Sequence, residues 1–193
     1  MCLPSVLVSL LNGILSSISQ SAVAFFGVYY KLQTFIYMPT SGIVQGMRPL
    51  MSYNYGAKLK ERMHQILKVS GLVIAAILGA GTLLFFIVPN VLLSLFNASS
   101  GMLEIGETGL RILSLSFIVS SFGVLMSGVF EALGLGKYSL IVSLLRQLLI
   151  TVPLAYILLN IMGIEGIWLS FVIAEAIASI VAYILYRKKF KTI

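Results

Sequence analysis

The sequence predicts an all-α, polytopic integral membrane protein: a single bundle of six transmembrane helices spanning residues 1–193. Three observations carry that prediction. Hydrophobic residues make up 59% of the chain and charged residues 10%, with a mean hydropathy of +1.05, whereas a soluble domain carries about 25% charged residues. Six apolar runs approach or exceed the ~20 residues that cross ~30 Å of hydrocarbon. The links between them alternate between basic and non-basic, the pattern that fixes orientation in a membrane.

The first run, Leu3 to Val23, is short and polar for a span, with several serines, Asn12 and Gln20. The second runs from Val28 to Tyr53 and carries Lys31, Arg48, Pro39 and Pro49. The third, Val69 to Phe96, is punctuated by Gly79, Gly81 and Pro89. The fourth covers Leu110 to Leu133, the fifth Ser139 to Ile161 and the sixth Ile167 to Tyr186. Lys58, Lys60, Arg62 and Lys68 follow the second run, Lys137 follows the fourth, and Arg187, Lys188, Lys189 and Lys191 follow the sixth. The other three links carry no charge before Lys31, then Glu104 and Glu107, then Glu165. Six spans with both termini in the cytoplasm satisfy this alternation; five or seven would break it. The opening Met-Cys-Leu-Pro lacks the basic start of a cleaved signal peptide, so the first helix is expected to serve as the anchor.

Composition also excludes classes of function. The net charge is +7, but the cations are dispersed over short links and a tail, not gathered on a soluble basic face, so no nucleic-acid partner is expected. The chain has one cysteine, Cys2, one histidine, His64, and no aspartate. That leaves no intrachain disulfide, no zinc site and no Ser-His-Asp set. No phosphate-binding loop motif occurs. The expectation is a non-enzyme without cofactor or metal, in contact with lipid.

The most informative stretch is Pro39 to Lys60, PTSGIVQGMRPLMSYNYGAKLK. Gly42 and Gly46 are spaced to lie on one helix face, where a neighbouring helix is expected to approach closely. Tyr53 and Tyr55 suit a membrane boundary, and Gly56 suits a helix C-cap. The run resembles the segment joining the second and third helices of the C-terminal half of MATE (multidrug and toxic compound extrusion) transporters. The positions that carry the resemblance are Gly42, Gln45, Gly46, Pro49, Tyr53, Asn54, Tyr55, Gly56, Ala57 and Lys58. A second, weaker similarity covers Leu133 to Leu158, where a Gly-Lys turn precedes Arg146-Gln147 and Pro153; Glu131 stands where the family often has Gln.

The charged and polar groups inside the runs are the candidate functional residues, because a charge in hydrocarbon is costly and is normally held by protein or water. Glu131 and Glu175 are candidates for a coupling ion. Each also has a structural reading, Glu175 paired with Arg146 or a helix N–H and Glu131 paired with Lys137 or Arg146 near the interface. Asn12, Gln33, Tyr37 and Gln45 could line a polar cavity or serve as glue between helices. Met126, with Phe117, Phe122 and Phe130, could offer a soft aromatic wall to flat cations or simply pack. Arg48 reads as an interfacial anchor and Lys31 as a residue reaching for the membrane surface.

The resemblance implies a secondary active transporter, or half of one, that exports cationic or amphipathic drugs from the cell by antiport with H⁺ or Na⁺ at the plasma membrane. It covers the C-terminal six-helix lobe only. An N-terminal lobe or a second copy is therefore implied as partner, and against the family the first run is short, as expected either if residues are missing from it or if the start falls inside a longer reading frame. Two alternatives stay open: a lipid-linked sugar flippase of the same superfamily, and a truncated, non-transporting membrane fragment or interaction module.

Overall fold

The computed structural model describes residues 3–190, so Cys2 and Lys191 lie outside the described residues. The chain is a stack of helices joined by short turns: α1 (Leu3–Ser16), α2 (Gln20–Gly56), α3 (Lys60–Ile87), α4 (Pro89–Ser94), α5 (Ser100–Ala132), α6 (Gly136–Leu144), a π-helical turn (Leu145–Leu149), α7 (Thr151–Met162) and α8 (Ile164–Phe190). Counting α6, the π turn and α7 as one interrupted column, four columns are long and apolar enough to cross a membrane. The more polar α2 runs 37 residues, ~55 Å at 1.5 Å per residue. At 14 residues, α1 reaches ~21 Å, short of the ~30 Å hydrocarbon core.

The central column is α5, which packs against α2, α3 and α8. It leaves one stripe open in its first half, at Glu104, Thr108, Arg111, Leu115 and Ile118, and buries much of its remaining surface, from Met102 and Leu110 through Phe117 to Val129 and Phe130. Small residues make this possible. A Cβ on Gly109 would sit 2.6 Å from the Phe25 ring, and one on Gly128 would sit 2.5 Å from Val44 Cγ1. At the start of the bundle Phe25 meets Trp168 edge-on at 5.1 Å, and Tyr29 stacks with Phe117 at 6.4 Å. At the opposite end the C-terminus of α2 touches that of α5, where Ser52 donates to the Ala132 carbonyl. The C-terminus of α8 meets the start of α6, with Lys189 over the Tyr138 ring at 5.8 Å. The links rich in Lys and Arg thus share one end of the bundle, and Glu104, Glu107 and Glu165 belong to the other.

Several element limits differ from the sequence expectation. The first link falls at residues 17–19, not between Val23 and Val28. The Ser19 hydroxyl accepts the Ala22 N–H at 3.1 Å and starts α2 there, and Gly27 is carried inside the helix without a break. The charged link after α2 shrinks to Ala57–Leu59, and Lys60, Glu61 and Arg62 form the first turn of α3. The expected C-cap Gly56 is instead the last residue of α2, and Lys58 takes the left-handed conformation at φ 58°. The Leu59 N–H to Asn54 carbonyl and Lys58 N–H to Tyr55 carbonyl bonds close a Schellman turn around it. The third run breaks at Val88, immediately before Pro89, whose ring disfavours helical geometry in the preceding residue.

The Gly42/Gly46 expectation is also corrected. Outside its own helix, a Cβ on either residue would meet nothing within 4 Å. The close helix approaches occur at Gly81, Gly106, Gly109 and Gly128 instead. Gly42 and Gly46 are on the exposed side of α2.

Candidate functional site

The buried side of α2 follows helical spacing through Phe25, Tyr29, Leu32, Thr40, Val44, Met47, Met51 and Asn54. Its opposite side is open, and the residues exposed there recur at the same spacing: Lys31, Phe35, Met38, Gly42, Gln45 and Pro49. The motif stretch that stood out in the sequence therefore presents its small and polar members outward. Of the proposed cavity residues, Gln45 lies on this face, whereas Gln33 is half-buried on the opposite side of α2, one turn before Tyr37. Asn12 is half-buried on α1, its Oδ1 inside the protein without a hydrogen-bond partner among the described residues. Met126 is elsewhere: at 3% exposure it packs in the core with Phe117 and Phe130. The soft wall suggested for these residues is an interior packing layer, because this part of α5 is enclosed by its neighbours.

Inside the bundle is a polar cluster. Arg146, on the π turn, donates from Nε to Glu175 Oε1 at 3.0 Å and from a terminal nitrogen to the same oxygen at 2.7 Å. Both side chains are largely buried, at 14% and 12% exposure. The second carboxylate oxygen of Glu175 is buried and has no hydrogen-bond partner among the described residues. The Arg146 guanidinium also faces Tyr37 of α2, whose hydroxyl shares a hydrogen bond with Ser120 Oγ of α5 at 2.6 Å. Four columns thus converge on one carboxylate.

The local backbone explains how Arg146 gets there. Pro153 has no N–H for the carbonyl four residues back, at Leu149. The ladder shifts register, and Ile150 N–H bonds the Leu145 carbonyl five residues back at 3.1 Å. Thr151 Oγ1 then donates to the Arg146 carbonyl at 2.5 Å, occupying an acceptor that the altered ladder frees. Such π turns inside helices accompany functional sites often enough to mark this one.

Glu131 occupies a different setting. It pairs with Arg48 of α2 and accepts a hydrogen bond from Ser139 Oγ of α6 at 2.8 Å. Its partner is neither Lys137 nor Arg146, the two expected from sequence. Both members of the Arg48 pair are 40% exposed. Arg48 is thereby more than a surface anchor: it ties α2 to α5 at the basic end. The two candidate carboxylates are held by different arginines. Sequence reasoning passed over Ser120, Ser139 and Thr151; Pro153 was the visible signal for a disturbed helix around Arg146. His64 is exposed, its Nδ1 3.1 Å from the Lys60 carbonyl. Among the described residues no three His, Cys, Asp or Glu side chains gather where they could hold a metal.

The profile of the MatE family matches residues 1–157. The chain belongs to the MatE family. Multidrug export protein MepA of Staphylococcus saprophyticus is 26% identical over 190 residues, which take in 94% of this chain and 42% of that protein. MepA of Staphylococcus aureus strain N315 is 26% identical over 175 residues, 91% of this chain and 38% of that protein. The MatE chain thus spans about two fifths of the length of these relatives. Its fold superposes on an outward-facing multidrug resistance MATE transporter of the MOP superfamily with TM-score 0.91 at 22% identity, covering 98% of this chain and 43% of the other. A MOP superfamily transporter from Pyrococcus furiosus gives TM-score 0.90 at 22% identity over the same shares. This is a multi-pass membrane protein of a transporter family, not of an enzyme family.

Proposed function

We propose that the chain supplies the C-terminal six-helix lobe of an efflux transporter that exports cationic or amphipathic drugs in exchange for H⁺ or Na⁺. The observation that carries this reading is the open face of α2. Gly42, Gln45 and Gly46 put small and polar residues on the face that also carries Lys31, on a long helix more polar than the four apolar columns. Hydrocarbon pairs poorly with the Gln45 amide and the Lys31 ammonium, so the face calls for water, substrate or a second protein wall. An N-terminal lobe or a second copy of this chain provides that wall, and the cavity between them alternates in access as the lobes rock. The name of the MepA relatives, multidrug export protein, favours drugs as cargo.

Coupling belongs to Glu175 in this reading. Proton or Na⁺ binding at its unpartnered oxygen competes with Arg146 for the carboxylate and loosens the contact among α6, α7 and α8. The basic end of the bundle faces the cytoplasm of the plasma membrane, with both termini on that side. The flippase alternative would place cations on the open face. A binding pocket of reverse polarity is described for the Pyrococcus furiosus transporter, but of the two cations of α2 that face carries Lys31, while Arg48 is held by Glu131.

The test is ethidium efflux from drug-sensitive cells expressing the full-length product. Efflux above the empty vector, abolished by a protonophore or by Na⁺ replacement and lost in Glu175→Gln at equal membrane abundance, is the expected result. Efflux that survives Glu175→Gln removes this residue from coupling. Absence of efflux with every dye and under either gradient refutes the drug-export reading.

A further inference from the structure

The last turns of α8 carry features that the transport reading does not use. An open groove of about 350 Å³ is lined by Tyr183, Ile184, Arg187 and Lys188. The Arg187 guanidinium lies over the Tyr183 ring, 5.8 Å from its centroid. Arg187 forms no ion pair among the described residues, whereas Arg48, Arg111 and Arg146 each hold a glutamate. The nearest acid on its own helix, Glu175, lies 12 positions back and is committed to Arg146. Toward the membrane interior, Ile184, Ile180 and Ile177 continue the surface from the groove, at 56%, 59% and 39% exposure. From Arg187 to Ile177 is ten residues, ~15 Å of helix, which is one leaflet of a ~30 Å hydrocarbon core.

We propose that this end of α8 is a binding site for one anionic phospholipid, with its phosphate on Arg187 above Tyr183 and an acyl chain along Ile184, Ile180 and Ile177. The chemistry matches at both ends. A guanidinium offers a planar fork of donors suited to phosphate oxygens, and the tyrosine ring beneath it keeps the fork in place. The apolar stripe then gives the chain a path that a soluble phosphate ester could not use. The basic end as a whole attracts anionic lipid diffusely at ~1 kcal/mol per cation. The groove adds a fixed position, and so predicts a difference between Arg187 and an equally charged residue elsewhere on that end.

Lys60, exposed on the first turn of α3, is that control. The purified full-length protein is titrated with phosphatidylglycerol or phosphatidylcholine, and retained lipid is counted by native mass spectrometry. Wild type and Lys60→Gln are expected to retain one phosphatidylglycerol in preference to phosphatidylcholine. Arg187→Gln and Tyr183→Ala, checked for helicity and monodispersity, are expected to weaken that retention about tenfold, and Arg187→Lys to weaken it less. Equal losses in Arg187→Gln and Lys60→Gln would reduce the effect to diffuse surface charge and overturn the site. So would undiminished retention in Arg187→Gln. Displacement of the lipid by millimolar glycerol phosphate would show that the headgroup alone suffices, overturning the acyl-chain half of the proposal; resistance to displacement supports it.

Discussion

Replacing Arg146 with methionine strands a carboxylate inside the bundle. Arg146 gives Glu175 two donors, both on one oxygen at 2.7 and 3.0 Å, and the other oxygen is already without a partner among the described residues. After Arg146→Met the whole buried carboxylate is uncompensated, and breaking such a pair from one side costs about 3–5 kcal/mol. Glu175→Leu does the converse to the guanidinium, at a similar cost. The double variant Arg146→Met/Glu175→Leu removes both charges and fills the space with apolar atoms, which is commonly neutral or even favourable. The signature is therefore an inversion: each single variant is less stable than the double. The surface pair Arg111–Glu107, 45% and 40% exposed and one helical turn apart, serves as reference, and Arg111→Met should cost ~0.3–0.5 kcal/mol. Reversible unfolding in mixed micelles reads all four variants. A double variant as unstable as the two singles added together would refute the pairing argument. The same variant separates structure from coupling: folded and still exporting, it would leave Glu175 a purely structural role; folded and silent, it would make the carboxylate necessary for transport.

Three further outcomes follow from local geometry. Gly109→Ala should destabilise by about 1–3 kcal/mol, because its Cβ would lie 2.6 Å from the enclosed Phe25 ring, while Gly42→Ala, in open space, should be neutral or gain up to ~1 kcal/mol in helix propensity; melting of the two variants side by side checks the contrast. Gly166→Ala should be worse than either, about 3 kcal/mol or more, since its Cβ would fall against the Leu158 carbonyl oxygen, a backbone atom that cannot rotate away; expression and monodispersity by size exclusion would register the loss. Lys58→Gly should raise stability by up to ~1 kcal/mol by relieving a left-handed non-glycine residue, and an unchanged melting temperature would show that the Schellman turn absorbs the strain.

The long apolar columns were legible because hydropathy alone specifies them: α5 and α8 are apolar on all sides, and the structure encloses much of both. Arg146 with Glu175 was also within reach, as opposite charges inside apolar runs have few other places to go. The first link was not. Nothing in Ser16-Ser17-Ile18-Ser19 breaks a helix as Gly or Pro would, and the boundary is set by one hydroxyl accepting one N–H. The Arg48–Glu131 pair joins residues 83 positions apart, and proximity in sequence pointed to Lys137 instead. The Gly42/Gly46 spacing fixed a face but not what that face meets. Spacing says which residues share a surface, whereas exposure depends on where every other helix lands. The π turn shows the same limit: Pro153 signalled a disturbance, but a kink and a register shift leave the same trace in sequence.

What joins the interior cluster to the open face is α2 itself. Tyr37 reaches inward to Ser120 and Arg146, and within about two turns the same helix turns Gly42 and Gln45 outward. Pro39 lies between them and removes one rung of the helical ladder. A change in what Arg146 holds therefore acts on α2 close to the segment most able to bend, and a bend there moves the exposed face relative to α5. Coupling between two sites needs an element with two arrangements that both sites bias, and α2 is the element that touches both. Glu131 acts on it too, but from the end and in solvent, where an ion pair 40% exposed is worth little. The physical asymmetry between the two carboxylates, one enclosed and one wet, makes Glu175 the group whose charge state α2 would feel.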